Sequence, residues 1–529
     1  MERTYSDAVK ALNTLQSNFA IVDAIRKSGR GMNKQAIPEM IEWCSKVGYQ
    51  PSDFDRLNII HVAGTKGKGS TSAFISSILS QYLTSTPTNP SPPINKIGLY
   101  TSPHLRFVRE RIQINNAPLS ESLFARYFFE VWDRLEASAR KENPDPSFDV
   151  STPATKPIYF RFLTLMALHT YLSEGVDTVI LECGIGGEYD STNIITRPTV
   201  TGITTLGIDH VAMLGSTLPE IAWHKAGIMK PSSPCFTVPQ PEPALEVLKQ
   251  RAAEKNTQLT IVPRHPALST VPLGLAADFQ KTNASLAIAI SMAHLRALKY
   301  SPPTPLSPSE SPASPLPDEF VVGLSSVHWP GRCEIRPEPE TGIRWHLDGG
   351  HTVESIDVAA SWFGNLLSGN PNQKQPRILL FNQQTRERDP SALARELYRV
   401  LASSTSKDPK TNNLHPFTHA IFTTNITYAP NSSSSHYAPD LVSLNTSAAD
   451  VKALRVQKEL ANTWKEINGE GTDVRVCGSI EEAVKEARNI AKKEKVKNGD
   501  TWVLATGSLH LVGGLMEVLE SQKEGALKN

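Results

Sequence analysis

The sequence predicts an α/β fold in which a mainly parallel sheet domain is followed by a smaller α/β domain. Three observations predict it. Short apolar runs of strand length alternate with segments of helical period, the pattern of strands covered by helices on both faces. One run, Leu57 to Val62 (LNIIHV), leads through a glycine- and lysine-rich turn into a helix. The chain is also long, at 529 residues, and is interrupted at Ser301 to Pro317 by a Pro/Ser-rich run that can neither pack nor form a helix. A first domain is therefore placed over 1–300, a linker or exposed loop over 301–320, and a second domain over 321–529.

The elements follow in chain order. Tyr5, Val9, Leu12 and Leu15 recur at helical spacing, so the chain opens with an amphipathic helix. Leu57 to Val62 reads as a strand, and Ser70 to Tyr82 as a helix with Phe74, Ile78 and Tyr82 along one stripe. Beyond the proline-rich patch Thr84 to Asn95, Ile97 to Tyr100 is a strand. Phe162 to Leu172 is a strongly apolar helix, and Asp177 to Leu181 is a buried strand ending at Glu182. Val200 to Leu206 is a further strand. In the second half, Arg344 to Leu347, Arg377 to Phe381, Ala420 to Thr424 and Trp502 to Ala505 are strand-like. Helical segments lie between them at Ser355 to Leu367, Ala392 to Leu401 and Ile480 to Lys493, which makes the second domain Rossmann-like. Ser403 to Asn413 and Asn431 to Tyr437 are polar excursions from it, and no internal repeat is visible.

Composition narrows the function. Lys+Arg at 54 against Asp+Glu at 53 leaves a net charge of +1, which removes the electrostatic case for a nucleic-acid partner. No run approaches the ~20 apolar residues a membrane helix needs. The five cysteines, Cys44, Cys183, Cys235, Cys333 and Cys477, show no Cys-x-x-Cys pair, so neither a disulfide framework nor a structural zinc site is expected. Glu2 and Asp7 near the start fit neither a signal peptide nor a mitochondrial presequence. The expected setting is cytoplasmic, with a mitochondrial form from an alternative start left open.

Four segments carry chemistry. In His61 to Thr71 (HVAGTKGKGST), glycines at 64, 67 and 69 let the backbone approach an anion, and Lys68 supplies charge to terminal phosphates. Ser70 or Thr71 is expected to open the following helix, so the first domain is P-loop-containing. The spacing departs from the usual P-loop, because Gly69 separates lysine from hydroxyl. In Glu182 to Asn193 (ECGIGGEYDSTN), a carboxylate sits at the carboxyl end of a buried strand, where ligands of open sheets bind. A hard-cation ligand and a structural strand-end acid are both open there. In Gly207 to Lys225, His210 follows another strand end; magnesium seldom takes imidazole, so chemistry alone does not select it. In the second half, Arg332 of WPGR could neutralise phosphate, and Asp348 of DGGHT could accept from a ribose or base. With ATGSL at Ala505 to Leu509, these could form a lid over a bound nucleotide.

Taken together the strings resemble the folylpolyglutamate synthase family of Mur-ligase-like, ATP-dependent amide ligases, over nearly the whole chain. The resemblance rests on HVAGTKGKGST, YTSPHL (Tyr100 to Leu105), RERIQIN (Arg109 to Asn115), YFRFLTLMALHTYL (Tyr159 to Leu172), ECGIGGEYDSTNII and HKAGIMK (His224 to Lys230). The YFRF string looks like the eukaryotic form. The resemblance implies that ATP phosphorylates the γ-carboxylate of a reduced folate's terminal glutamate, and that the amine of L-glutamate then attacks. It implies ATP contacts from Gly64, Thr65, Gly67, Lys68, Gly69, Ser70, Thr71, Asn283, Arg332 and Asp348. Ser102, Glu182 and His210 would hold Mg2+, joined by Lys225 if that lysine is carbamylated. Lys68, His210 and Lys225 would be catalytic, and Tyr159, Arg161 and His351 would meet substrate. A monovalent cation such as K+ and a monomeric state are further expectations. DGGHT stands where DGAHT is usual, so Gly350 is expected to loosen that turn. Bacterial bifunctional relatives carry an acid where Arg161 stands, which favours polyglutamylation alone over additional dihydrofolate synthesis. A paralogue acting on another carboxylic acid, a nucleotide-binding regulator and a cell-wall ligase are the competing readings.

Overall fold

The computed structural model describes residues 3–16, 34–83, 94–300, 316–369, 375–384, 389–405, 415–429, 440, 448–498 and 500–527. The polar stretches 406–413 and 431–437, and most of the Pro/Ser-rich run, lie outside them. The chain divides into two units. The first comprises residues up to His104 and Val108–Trp329, the second Leu105–Phe107 with Pro330–Asn529.

The first unit is built on eight strands: β1 (Ile59–Ala63), β2 (Ile97–Tyr100), β3 (Ile112–Ile114), β4 (Ala117–Pro118), β5 (Thr178–Glu182), β6 (Val200–Ile203), β7 (Cys235–Thr237) and β8 (Leu259–Ile261). Their order across the sheet is β4-β3-β2-β5-β1-β6-β7-β8. The six strands from β2 to β8 run parallel, and β3 and β4 add an antiparallel edge. The central strands read as continuous apolar runs because both faces are covered. On β5, Val179 and Leu181 enter the core beneath the helices Tyr5–Asn13, Glu121–Glu142 and Tyr159–Ser173, while Ile180 enters the core on the opposite face. Strand side chains alternate, so Glu182 continues the phase of Ile180. That is the face covered by the helices Lys68–Leu79 and Gln280–Ala297. Register sets Val62 of β1 beside Glu182 and Ala63 beside Ile203 of β6, which brings three strand ends level.

The second unit holds β9 (Glu334–Glu338), β10 (Ile343–Leu347), β11 (Arg377–Phe381), β12 (His419–Thr423), β13 (Asp473–Cys477) and β14 (Thr501–Thr506), in the order β13-β12-β11-β14-β10-β9. All neighbours are parallel except the edge strand β9. Two cores flank this sheet, one around Trp345, Leu347 and Leu515, the other around Phe363, Phe381 and Trp464.

The division differs from the one the composition predicts. Residues 316–329 belong to the first unit, because the helix Asp318–Ser326 packs Phe320 and Leu324 into the core beneath Ile78. A Cβ on Gly323 would lie 2.6 Å from the Ile78 Cα, so helix meets helix with no room for a side chain. Leu105–Phe107, read from sequence as part of the first domain, falls in the second unit. Leu105 is buried in its core, and the Arg106 guanidinium holds Glu517 at 2.6 Å.

Candidate active site

The loop between β1 and its helix is shaped by two glycines in conformations that L-residues avoid. Gly64 has φ +148° and Gly67 has φ +88°. At Gly64 a Cβ would run into the side chain of Thr204, and at Gly67 into the carboxamide of Asn283. The helix starts at Lys68, two residues earlier than the hydroxyl residues suggest, with Gly67 as its left-handed N-cap. Lys68 and Gly69 therefore form its first turn, and the free N–H groups there face the loop. The extra glycine has a packing reason: a Cβ on Gly69 would sit 3.2 Å from the Trp329 indole nitrogen.

Around this loop the chain closes tightly. The N–H groups of Thr65 and Lys66 both donate to the Thr205 carbonyl at 3.0 Å. The Thr65 hydroxyl accepts from Gly207 N–H and donates to the Gly207 carbonyl, both at 3.1 Å. The Gly64 carbonyl accepts from Lys68 Nζ at 3.0 Å and from Lys225 Nζ at 2.8 Å. Lys225 is only 3% exposed, and burial together with the Lys68 charge pushes its ammonium down to about 7. At the far side, Asn283 donates to Gln280 at 2.8 Å, and Gln280 donates to the Ser70 hydroxyl at 3.3 Å. Ser70 and Thr71 are both buried at that helix start.

The second glycine segment is organised by Asp190. Its carboxylate accepts from the N–H groups of Ile185 and Thr192, both at 2.9 Å, and from the Thr192 hydroxyl at 2.6 Å. Gly187 then lies against the backbone of Lys225, and Glu188 N–H donates to the His224 carbonyl at 2.6 Å. The loop that leaves Glu182 is thereby fastened to the helix Leu218–Lys225. Glu182 itself is 3% exposed at the end of β5. Ser102 follows the neighbouring strand β2, and His210 follows β6 as the left-handed N-cap of the turn Val211–Leu214. Carboxylate, hydroxyl and imidazole thus all leave carboxyl ends of the same sheet.

Tyr159 and Arg161 open the helix Tyr159–Ser173, whose Phe160 ring packs on Gly184, next to the Glu182 loop. The Arg111 guanidinium stacks 5.4 Å from the Tyr159 ring centre, and Arg161 is paired with Glu39 of the helix Ala36–Lys46. In the second unit, Asp348 follows β10 and accepts from Cys333 N–H at 3.0 Å and Gly350 N–H at 2.8 Å. Burial pushes its carboxyl up, against the Arg332 charge, which pushes it down. His351 Nδ1 lies 2.8 Å from the Gly349 carbonyl. The DGGHT turn is not loose: Gly350 is held by Asp348, and a Cβ there would come within 2.8 Å of the Ser355 carbonyl.

Sequence reasoning gave no role to Lys66, Asp190, Asp209 or Trp329, although each lies in a segment it singled out, and it passed over Gln280 altogether. A weak signal existed for two of them: Asp209 directly precedes His210, and Gln280 stands three residues before Asn283 on one helix face. Oxygen donors from Ser102 and Glu182 suit a hard dication, and one carboxylate is the usual protein share where a nucleotide supplies the other ligands. Among the described residues no three His, Cys, Asp or Glu side chains gather into a metal cage. All five cysteines are free thiols.

A glycine loop at the carboxyl edge of a mainly parallel sheet, with a carboxylate and a histidine following other strands of that sheet, and a second mainly parallel α/β unit define a nucleotide-binding class of α/β protein. No protein-family profile matches the chain. It is 44% identical over 519 residues to folylpolyglutamate synthase of Saccharomyces cerevisiae strain ATCC 204508 / S288c, covering 98% of this chain and 87% of the relative. The fold is similar to Mycobacterium tuberculosis folylpolyglutamate synthase complexed with ADP, with TM-score 0.63, 20% identity, and 96% and 98% of the two chains covered. It is also similar to a folylpolyglutamate synthase complex with AMPPCP and folate, with TM-score 0.58, 21% identity, and 95% and 100% covered. The chain belongs to the folylpolyglutamate synthase family.

Proposed function

We propose that this chain is an ADP-forming ligase that adds L-glutamate in γ-linkage to reduced folates and their polyglutamates. The observation that carries the reading is the 44% identity that runs through 98% of the chain, with the site segments set at adjoining strand ends. The γ-phosphoryl group of ATP passes to the substrate's γ-carboxylate oxygen, and ADP leaves. The glutamate nitrogen then attacks the acyl carbon, phosphate leaves, the amide forms and the amine loses a proton.

Phosphoryl transfer is mainly positioning and charge neutralisation, and this chain supplies both. The P-loop N–H groups and Lys68 would cradle the polyphosphate. Asn283, Gln280 and Ser70 would line the nucleotide's side of the loop, and Arg332 and Asp348 of the second unit would serve the nucleotide as well. Ser102, Glu182 and His210 would hold Mg2+, which supplies charge neutralisation at the transferred group. Lys225, largely neutral near pH 8 because of its burial, is suited to take up CO2 and become an anionic ligand. Arg161 could bind a substrate carboxylate only in competition with Glu39. Five free thiols fit a cytosolic setting.

The test is phosphate release from Mg-ATP with tetrahydrofolate and L-glutamate, each omitted in turn, with product mass read alongside. Release that requires all three, with product heavier by glutamyl units, is the expected result. Release that ignores folate would sink the substrate assignment and leave an amide ligase for another acid.

A further inference from the structure

Two lysines sit in the glycine loop, and they point to different partners. Lys68 turns back to the Gly64 carbonyl. Lys66 instead reaches across to Asp209, with Nζ 3.1 Å from Oδ2. The other oxygen of the same carboxylate, Oδ1, accepts the His210 N–H at 3.0 Å. One side chain therefore bridges the loop and the backbone of His210.

His210 is also strained. Its φ is +51°, the left-handed region, which a residue with a Cβ keeps only where its surroundings impose it. Its carbonyl accepts from Met213 at 2.9 Å and from Leu214 at 3.0 Å, and its N–H is taken by Asp209. The backbone on the other side is fixed by the paired bonds of Thr65 with Gly207 and of Thr205 with Thr65 and Lys66. Asp209 is well shielded, its side chain 14% exposed, so the Lys66 attraction is less screened than at an open surface.

We propose that Asp209 is a positioning residue: it ties Lys66 to the His210 backbone, and so fixes where the His210 imidazole stands relative to the phosphate-binding loop. The inference rests on the ligase reading of the site. It also assigns Lys66, the first of the loop's two lysines, a role distinct from phosphate contact.

The full-length protein can be tested with Mn2+ as the probe, reading free Mn2+ by its electron paramagnetic resonance signal in the presence of ADP. ADP affinity without metal and thermal melting are measured in parallel. Asp209→Asn keeps the shape and removes the charge. It is expected to weaken Mn2+ binding about tenfold or more, the usual effect of losing a partner behind a metal ligand. Metal-free ADP affinity should stay near that of the unaltered protein. Lys66→Met should weaken Mn2+ in the same direction, and Lys66→Arg, which keeps the pair, should restore it. Unchanged Mn2+ affinity in Asp209→Asn and Lys66→Met would overturn the proposal, whatever happens to melting. So would an equal loss of metal-free ADP binding, which would make Asp209 a support of the loop alone. If the unaltered protein bound neither ADP nor Mn2+, the ligase reading itself would fall, and the role of Asp209 with it.

Discussion

At Lys225 the buried ammonium is held down to about 7, first by loss of water and then by the Lys68 charge. In the unfolded chain the same amine titrates near 10.4. Between those values the unfolded state binds a proton that the folded state does not, so stability rises with pH across that window. Below about 7 the buried charge is present in full and its cost is constant. Lys225→Met removes the charge while keeping the stem's packing, and the Gly64 carbonyl retains Lys68 as a donor. The variant should therefore melt higher than the parent at pH 6.5, with the advantage shrinking toward pH 10. A melting difference that is flat across pH would show that Lys225 does not carry the buried charge. Ligase activity should be lost in the same variant, which separates the residue's service to the reaction from its cost to the fold.

The loop between β1 and its helix depends on backbone that only glycine adopts readily. Gly67→Ala would meet φ +88° and the Asn283 carboxamide together. The backbone strain alone is about 1–3 kcal/mol, and about 1.4 kcal/mol of it falling on the bound geometry weakens ADP tenfold. Gly48 provides the control: it has φ +90° with nothing within 4 Å of a Cβ. Gly48→Ala should lower the melting temperature and leave ADP titration unchanged, whereas Gly67→Ala should lose both. Equal ADP affinities in the two variants would mean that Gly67 serves folding only. The loop was legible in the sequence because its signal is local: glycines, lysines and hydroxyls within eleven residues of a buried strand. The central strands β1, β5 and β11 were legible for a related reason, since burial on both faces leaves an apolar run, interrupted in β1 by His61. Edge strands such as β4, two residues long, and the half-exposed β8 carry no such run. The tertiary partners were hidden more deeply. Lys66 and Asp209 stand 143 residues apart, and Gln280 and Ser70 210 apart, and no single sequence records which distant polar residues meet.

Each unit has its own sheet and its own cores, so each has the means to unfold cooperatively by itself. Calorimetry should resolve two transitions. Phe162→Leu, in the first unit's core, should lower one, and Phe381→Leu, in the second's, the other, which assigns them. ADP at a hundred times its dissociation constant stabilises whatever it binds by about 2.7 kcal/mol. For a unit as large as the first that moves a transition by roughly 4 °C. The first unit's transition should rise by this amount, and Lys68→Ala should abolish the rise. If the nucleotide also engages Arg332 and Asp348, the second unit's transition must rise as well, because only the folded unit sets the two side by side, through Gly349 N–H on the Gly331 carbonyl and Cys333 N–H on the Asp348 carboxylate. Arg332→Ala should then cancel the second rise while leaving most of the first. A nucleotide that moves the first transition alone, in the parent and in Arg332→Ala alike, would remove Arg332 and Asp348 from the nucleotide's contacts and confine binding to the glycine loop and Asn283.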